Sequence, residues 1–396
     1  MNRPLHVGLL TPSLAGVTGV DSGIGAHFRH LADALTDAGH RATVLLVSEK
    51  SVLPTNLPFA LNVVPVPPPA VARLLGRLSW QLHQWCCLRA GFRAATVVAR
   101  GQAVDLWETT STGSLALEYL ADRRRPPVVT RVSTTAAQLR ATNAGAANWI
   151  SRRIEGWEHT AVDRSDRVFT HSESHRRALA QEFGLAPESI RVIPHGIPIP
   201  AEITVRTPVA GRCEILFVGR LEHRKGIDLL LSALPRVLEA APQARFTLVG
   251  ADRGNYWQNQ WQQTVPAAWR DRVRFAGVVD AADLAEHYRT ADLFVAPSRY
   301  ESFGLIFAEA MARALPVVAL RAPGATDLID DGATGRLAPP EDAAGLAAVL
   351  TELALDPAQR QRLGLAARHA VETRYSLPAL AAASVAFYRE TLAPGP

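Results

Sequence analysis

Short strand-like runs alternate with longer helical patterns along this chain, and the alternation starts twice. Such a pattern implies parallel sheets built from βαβ units. LHVGLLTP reads as a strand, HFRHLADALTDAGH as a helix closed by Gly39, and RATVLLVS as a strand again. Further strands are expected at AVDLWE, PPVVTRVS, DRVFTHS and IRVIPHG, the last preceded by the helix RRALAQEFG. PHGIPIPAEITVRTPVAG then breaks every periodicity with prolines and glycines, as a linker does. Beyond it CEILFVG, ARFTLVG, RVRFAGVV, DLFVAPS and PVVAL read as strands, with KGIDLLLSALPRVLEAAP, LAEHYRTA and FGLIFAEAMARA as helices. The tail from Asp342 to about Leu392 is helical, broken near Ser376, Leu377 and Pro378. The expected class is α/β, with one doubly wound domain over 1–196, a linker over 197–210, a second over 211–375 and a C-terminal helix over 376–396. Ligands of such sheets sit outside the carboxyl ends of the strands, so two facing domains would enclose a central cleft.

A length of 396 residues agrees, being too many for one comfortable hydrophobic core. With 48% hydrophobic and 20% charged residues the chain has a soluble globular profile. MNRPLHVGLLTPSLAG reads as a first strand rather than a signal peptide, and no stretch approaches the roughly 18 apolar residues of a membrane span. Three cysteines, with Cys86 and Cys87 adjacent, make no disulfide framework, so a reducing cytoplasm is expected. The net charge of +5 is Arg-rich. It suits anionic small molecules or an anionic membrane surface; no zinc-ligand spacing, basic heptad helix or RNP-like run argues for nucleic acid.

One segment, RYESFGLIFAEAMARAL over 299–315, sets two glutamates into an apolar run. Ser302 is the expected N-cap, and Gly304 admits close approach to the first turn. The amides of Phe303, Gly304 and Leu305 would then face an anion or a hydroxyl oxygen. Glu301 stands at this mouth, with Glu309 about two turns along the helix. Glu309 and Arg313 also have the i,i+4 spacing of an exposed ion pair, yet the rest of the helix leaves no broad polar face.

In ESFGLIFAE these residues resemble the E-x7-E pattern of retaining GT-B glycosyltransferases of family 4. FVGRLEHRKGIDLLLSAL resembles that family's phosphate-binding segment, and VRFAGVVDAADLAEHYRTADLFVAPS the approach to the glutamates. LPVVALRAPGATDLIDDGATGRL resembles the family's segment on their C-terminal side, and DSGIGAHFRHLADALTDAGHRATVL the glycine-rich entry loop and helix. The resemblance implies two Rossmann-like domains, the first binding an acceptor and the second a nucleotide sugar, with the last helix crossing back to the first. It makes Glu301 a contact of the transferred sugar and Glu309 a holder of the ribose, whose hydroxyls a carboxylate can accept twice over. Arg220 and Lys225 would meet the diphosphate, where preplaced cations stabilise the charge that develops on the leaving group. Ser302, Phe303, Gly304, Leu305, Val278 and Val279 complete the implied donor contacts, and Ser22, Gly23 and Ile24 would close on the donor from the opposite domain; a flexible turn is the plainer reading of that loop.

No Asp-x-Asp occurs, so the two cations would replace a metal and no cofactor is expected. The implied reaction moves a hexose-type sugar from a UDP- or GDP-linked donor to an acceptor hydroxyl with retention, in carbohydrate biosynthesis. Attack on the front face through an oxocarbenium-like state fits, since no nucleophile beyond Glu301 is supplied by the motif.

The chain departs from the family where relatives carry a His in the middle strands of the first domain: LWETTSTGS and TRVSTTAAQ have none. Glu108, Thr109, Ser133 and His195 are the acceptor-side candidates, with His171 as a further neighbour in sequence. ADRGNYWQNQW replaces a glycine-rich loop, and Asp327 stands where Glu is common. The acceptor would be a small molecule, a glycan or a lipid-linked sugar. The Arg/Trp-rich segment 71–95, with Arg73, Arg77, Arg89 and Arg93, could lie on an anionic membrane or pack on its own sheet with its arginines snorkelling. The alternatives carried alongside are an NAD-type oxidoreductase, for which GVTGVDSGIG misses the G-x-G-x-x-G fingerprint, a sugar-phosphate epimerase or phosphorylase, and a silent binding module.

Overall fold

A computed structural model describes residues 3–18, 23–48, 56–66, 70, 72, 79–142, 148–202 and 211–393. Ser22, Arg73, Arg77 and residues 203–210 of the expected linker lie outside them. The chain divides into two compact units, Met1–Gly196 with Leu377–Pro396, and Ile197–Ser376.

The first unit holds seven parallel strands: β1 His6–Thr11, β2 Arg41–Ser48, β3 Ala60–Pro65, β4 Leu106–Thr110, β5 Val128–Arg131, β6 Arg167–Thr170 and β7 Ile190–Val192. Their order is β3-β2-β1-β4-β5-β6-β7. Val7 on β1 pairs with Ala42 on one side and Leu106 on the other. Both faces are covered, so β4 and β5 are buried at every residue instead of alternating. Phe28, Leu31 and Leu35 of the helix Gly23–Asp37 cover one face at helical spacing, joined by Leu380, Val385 and Tyr388 of the last helix, Leu377–Leu392. Phe92, Ala95 and Ala99 of the helix Trp80–Arg100 cover the other. Edge strand β3 escaped the sequence reading because it is only half-buried and ends on proline. The helix Trp149–Arg164 was missed as well. It opens on a reciprocal cap, in which the Asn148 side chain accepts from the Ser151 amide and the Ser151 hydroxyl from the Asn148 amide.

The second unit has six parallel strands: β8 Cys213–Val218, β9 Ala244–Val249, β10 Val273–Gly277, β11 Leu293–Ala296, β12 Val317–Leu320 and β13 Gly335–Ala338. Their order is β10-β9-β8-β11-β12-β13. The helix Ile227–Ala240 buries Leu230, Leu234, Val237 and Leu238 against it. Ile197, expected in the linker, is buried and bridges to Ser376 within this unit. The tail breaks between the helices Pro357–Arg374 and Leu377–Leu392. Pro378 sits in the first turn of the latter, where its missing amide costs nothing, and does not kink it. Among the described residues no helix is long and apolar enough to cross a membrane.

Each sheet reverses its winding beside its first strand, between β1 and β4 and between β8 and β11. Loops diverge at such a switch point and leave a crevice at the carboxyl ends of the strands.

Candidate active site

In the second unit two turns meet at that crevice. The turn after β8 carries Glu222, Arg224 and Lys225, and the loop after β11 carries Glu301. Lys225 Nζ donates to Glu301 Oε1, and Arg224 Nη1 lies 3.6 Å from Glu301 Oε2. Glycines make the meeting possible. Gly226 has φ +69, and a Cβ there would fall 1.9 Å from the Pro297 carbonyl oxygen. Gly324 has φ +83, and its Cβ would fall 2.3 Å from the Glu301 carbonyl. The loop is further locked by Arg299, which pairs with Asp228 at 2.7 Å and with Glu341 at 2.7 Å. Burial pushes the Glu301 carboxyl up, but Lys225 and then Arg224 outweigh it, and the net direction is down. Glu301 is therefore a carboxylate.

Glu309 lies on the helix Leu305–Met311, where its Oε2 accepts from the Tyr288 hydroxyl at 3.2 Å. Arg313 does not form the exposed pair that the spacing allows. Its guanidinium donates to the Glu309 carbonyl at 2.9 Å and covers the Tyr288 ring at 4.6 Å. Burial pushes the Glu309 carboxyl up against the pull of Arg313 and Tyr288. Among the described residues nothing donates to its Oε1, which leaves an acceptor for a ligand hydroxyl.

The helix start differs from expectation. Gly304, with φ +95, occupies the N-cap and no side chain caps it, so Ser302 lies outside the helix. A left-handed backbone here excludes the extended N-cap geometry that serine uses. Phe303 is buried edge-on against Tyr375 at 5.7 Å, while Leu305 opens the helix half-buried. Arg220 is largely exposed and meets Glu222 at 3.2 Å. Val278 is 77% exposed just past β10, beside half-buried Val279. Asp327 accepts from the Gly324 amide at 3.1 Å and caps its own turn.

At the first unit's switch point Glu108 on β4 is fully buried. Its Oε1 accepts from Arg131 Nε at 3.3 Å and faces His27 Nε2 at 3.2 Å, and the Tyr388 hydroxyl donates to Oε2. His27 Nδ1 meets His195 Nδ1 at 3.0 Å, and His171 stacks on His195 at 4.6 Å. Burial first, then the neighbouring histidines and Arg131, hold His27, His171 and His195 well below the ordinary histidine range. With the rings neutral and Glu108 ionised, His27 donates from Nε2 to Glu108 and accepts at Nδ1 from His195. Thr109 commits its hydroxyl to the Leu10 carbonyl at 3.2 Å. Ser133 is half-buried two residues past β5, and Gly23 and Ile24 begin the helix Gly23–Asp37. Sequence reasoning missed His27, Arg131 and Tyr388, which come from four elements together with Glu108. A histidine on the apolar face of Gly23–Asp37 was the one signal available.

Of the segment 71–95, residues 72 and 79–95 are described, most of them within the helix Trp80–Arg100. Arg89 and Arg93 lie 3.7 and 3.9 Å from Glu118, so these two face an acid of their own unit.

Residues 212–356 match the family model described as glycosyl transferases group 1, and residues 22–199 that of glycosyltransferase family 4. Glycogen synthase of Mycobacterium tuberculosis is 30% identical over 393 residues, spanning 93% of this chain and 91% of the relative. A D-inositol 3-phosphate glycosyltransferase of Kineococcus radiotolerans is 32% identical over 339 residues, 78% of this chain and 77% of the relative. In fold the chain is similar to Anabaena HepE, solved in complex with UDP and glucose, with a TM-score of 0.72 at 20% identity, over 98% of this chain and 100% of that one.

Proposed function

This chain belongs to the group 1, family 4 glycosyltransferases and is a glycosyltransferase of GT-B type; on that premise we propose that it takes a hexose-type sugar from a UDP- or GDP-linked donor and passes it with retention, and without a metal, to an acceptor hydroxyl. The observation that carries the reading is the Lys225–Glu301 pair at the switch point of the second sheet, with the open oxygen of Glu309 farther along the same loop and helix. Glu309 then holds the ribose and Glu301 the sugar. Lys225 and Arg220 meet the diphosphate, whose charge grows as the sugar–phosphate bond breaks. Cations brought against the leaving group in a partly dry site stabilise that charge, an effect typically worth about 3 kcal/mol for one contact. The departing phosphate takes the acceptor proton, since no side chain is invoked as a base. The two cations and the absence of Asp-x-Asp support metal independence. HepE, with UDP and glucose bound, supports a UDP-linked sugar as the first donor to try.

A thermal-shift panel with UDP, GDP, ADP and NAD tests the reading on the parent, Lys225→Ala and Glu309→Ala. Ligand at 100 times its Kd stabilises by about 2.7 kcal/mol. We expect a shift with UDP or GDP that Lys225→Ala abolishes, Glu309→Ala reduces and EDTA leaves alone. A shift confined to NAD, or one that ignores both variants, would sink it.

A further inference from the structure

Glu301 has two cations where the proposed reaction asks one of them to serve elsewhere. Lys225 holds Oε1 while Arg224 stands 3.6 Å from Oε2, within ion-pair range and beyond a hydrogen bond. The Glu301 side chain is only 12% exposed. A carboxylate so placed that loses its first counter-charge takes up a proton unless a second cation remains. Lys225 has a flexible stem and can swing toward a diphosphate. Arg224 cannot. Its Nε and Nη2 are tied to Glu222 Oε1 at 3.2 and 3.1 Å, and its Nη1 donates to the Tyr300 carbonyl at 3.1 Å. Its own carbonyl accepts from the Arg299 amide at 2.9 Å, which fixes the backbone too.

Resting on the donor-site reading above, we infer that Arg224 is a positioning residue: the standing counter-charge that keeps Glu301 ionised when Lys225 turns to the diphosphate. Glu301 then stays a pure hydrogen-bond acceptor toward the sugar throughout the cycle. A protonated Glu301 would present a donor instead, and the sugar hydroxyl would be held with the opposite polarity. The groups that bear on Glu301 are Lys225 and Arg224 from the turn after β8 and Ser298 from its own loop. Glu222 draws off part of Arg224's charge and is shared with Arg220 at 3.2 Å. Arg299 is spent on Asp228 and Glu341, and Asp327, on the turn pressed against Glu301, is bonded to the Gly324 amide.

Calorimetric titration of UDP into wild type, Arg224→Gln, Arg224→Lys and Arg224→Gln/Glu301→Gln tests this, in two buffers of different ionisation enthalpy. The pH is held between 7 and 8.5, above the second phosphate pKa of about 6. Wild type should bind with no net proton uptake. Arg224→Gln should take up a measurable fraction of a proton per UDP, its affinity rising as pH is lowered, by at most about tenfold per pH unit, the slope of one linked proton. Arg224→Lys should restore proton-free binding, and the double variant should lose the uptake with its carboxylate. If Arg224→Gln does not fold, the double variant, which leaves no carboxylate at position 301 to protonate, should bind UDP as Glu301→Gln does, without proton uptake. UDP binding to Arg224→Gln without proton uptake would overturn the inference, because Lys225 would then serve both anions. Failure of wild type to bind UDP, GDP or ADP would overturn the donor-site reading itself, and this inference with it.

Discussion

Glu108 lies on β4 and Glu301 on the loop after β11, each at the switch point of its own sheet and beside an arginine, yet their surroundings differ in one decisive way. Glu301 and Lys225 keep 12% and 11% of their side chains exposed, while Glu108 and Arg131 keep 0% and 1%. The cations win at Glu301, whose carboxyl is held down. Burial wins at Glu108, whose carboxyl is pushed up in spite of Arg131 and Tyr388. One topology therefore builds two kinds of ion pair. The first keeps part of its surface in water. The second is sealed by Tyr388 and Phe169 and acts on the fold.

The sharpest way to break that contrast is to remove each acid and measure stability. Glu108→Ala leaves Arg131 buried without a counter-charge, and breaking such a pair costs about 3–5 kcal/mol. Urea unfolding should show a loss of that size. Glu301→Ala should cost far less, because Lys225 can reach water. Equal losses from the two would show that the site is sealed as well, and the distinction would be gone.

Activity should divide the other way. Glu301→Gln keeps the shape and removes the charge, and losing an electrostatic contact made to the reacting group costs about 3 kcal/mol at the transition state, or roughly a hundredfold in kcat/KM. Its melting temperature should stay near that of wild type. Nucleotide-sugar turnover, including slow hydrolysis of the donor, is the readout. Retention of most activity would remove Glu301 from the chemistry.

The second unit was the more legible of the two in sequence. Its strands β8 to β12 are apolar runs bounded by glycine or proline, whereas the four-residue β13 was missed, and its candidate site residues cluster in two short stretches, 220–225 and 301–309, where local pattern and spacing can be read. The first unit's network is assembled from His27, Glu108, Arg131, His195 and Tyr388, which are far apart in sequence and individually ordinary. No local pattern signals that a tyrosine near the C-terminus donates to a glutamate 280 residues earlier. Strand β3 and the reciprocal cap at Asn148 were missed for a different reason. Half-burial weakens periodicity, and a serine at the third position does not announce a cap as a glutamate would. Ser302 misled because its side chain suits an N-cap, whereas the backbone follows Gly304.

A third carboxylate extends the comparison to an acid that, among the described residues, has no cation in contact. Glu158 is buried, accepts from the Ala136 amide at 3.0 Å, and lies near Glu182 and Glu155. Burial pushes it from its ordinary 4.5 up to about 8. The protonated form favours the fold, so its contribution is fully present below pH 4.5 and is lost as pH rises to about 8. Glu158→Gln mimics the protonated state. Wild type should lose stability relative to this variant across that window, by a few kcal/mol at most, and the difference should level off above it. Urea midpoints at pH 5, 7 and 9 measure this directly, and a constant difference would mean that Glu158 is ionised throughout.

The smallest expected effect concerns Glu309, which combines the two patterns: burial raises it as at Glu108, while among the described residues nothing donates to its Oε1, as the proposed donor site would require. A hydrogen bond from ribose to this oxygen contributes about 1 kcal/mol net, so Glu309→Gln should weaken UDP about fivefold and leave stability alone. The loss alone does not locate the contact. A cycle with 2′,3′-dideoxy-UDP does, since contacting groups fail to add while independent ones do. Wild type should bind the dideoxy nucleotide more weakly than UDP, and Glu309→Gln should bind the two nearly alike. If wild type does not distinguish them, Glu309 holds something other than the ribose. Its hydrogen bond from Tyr288 would then be structural, and the open carboxylate of this site would be Glu301 alone.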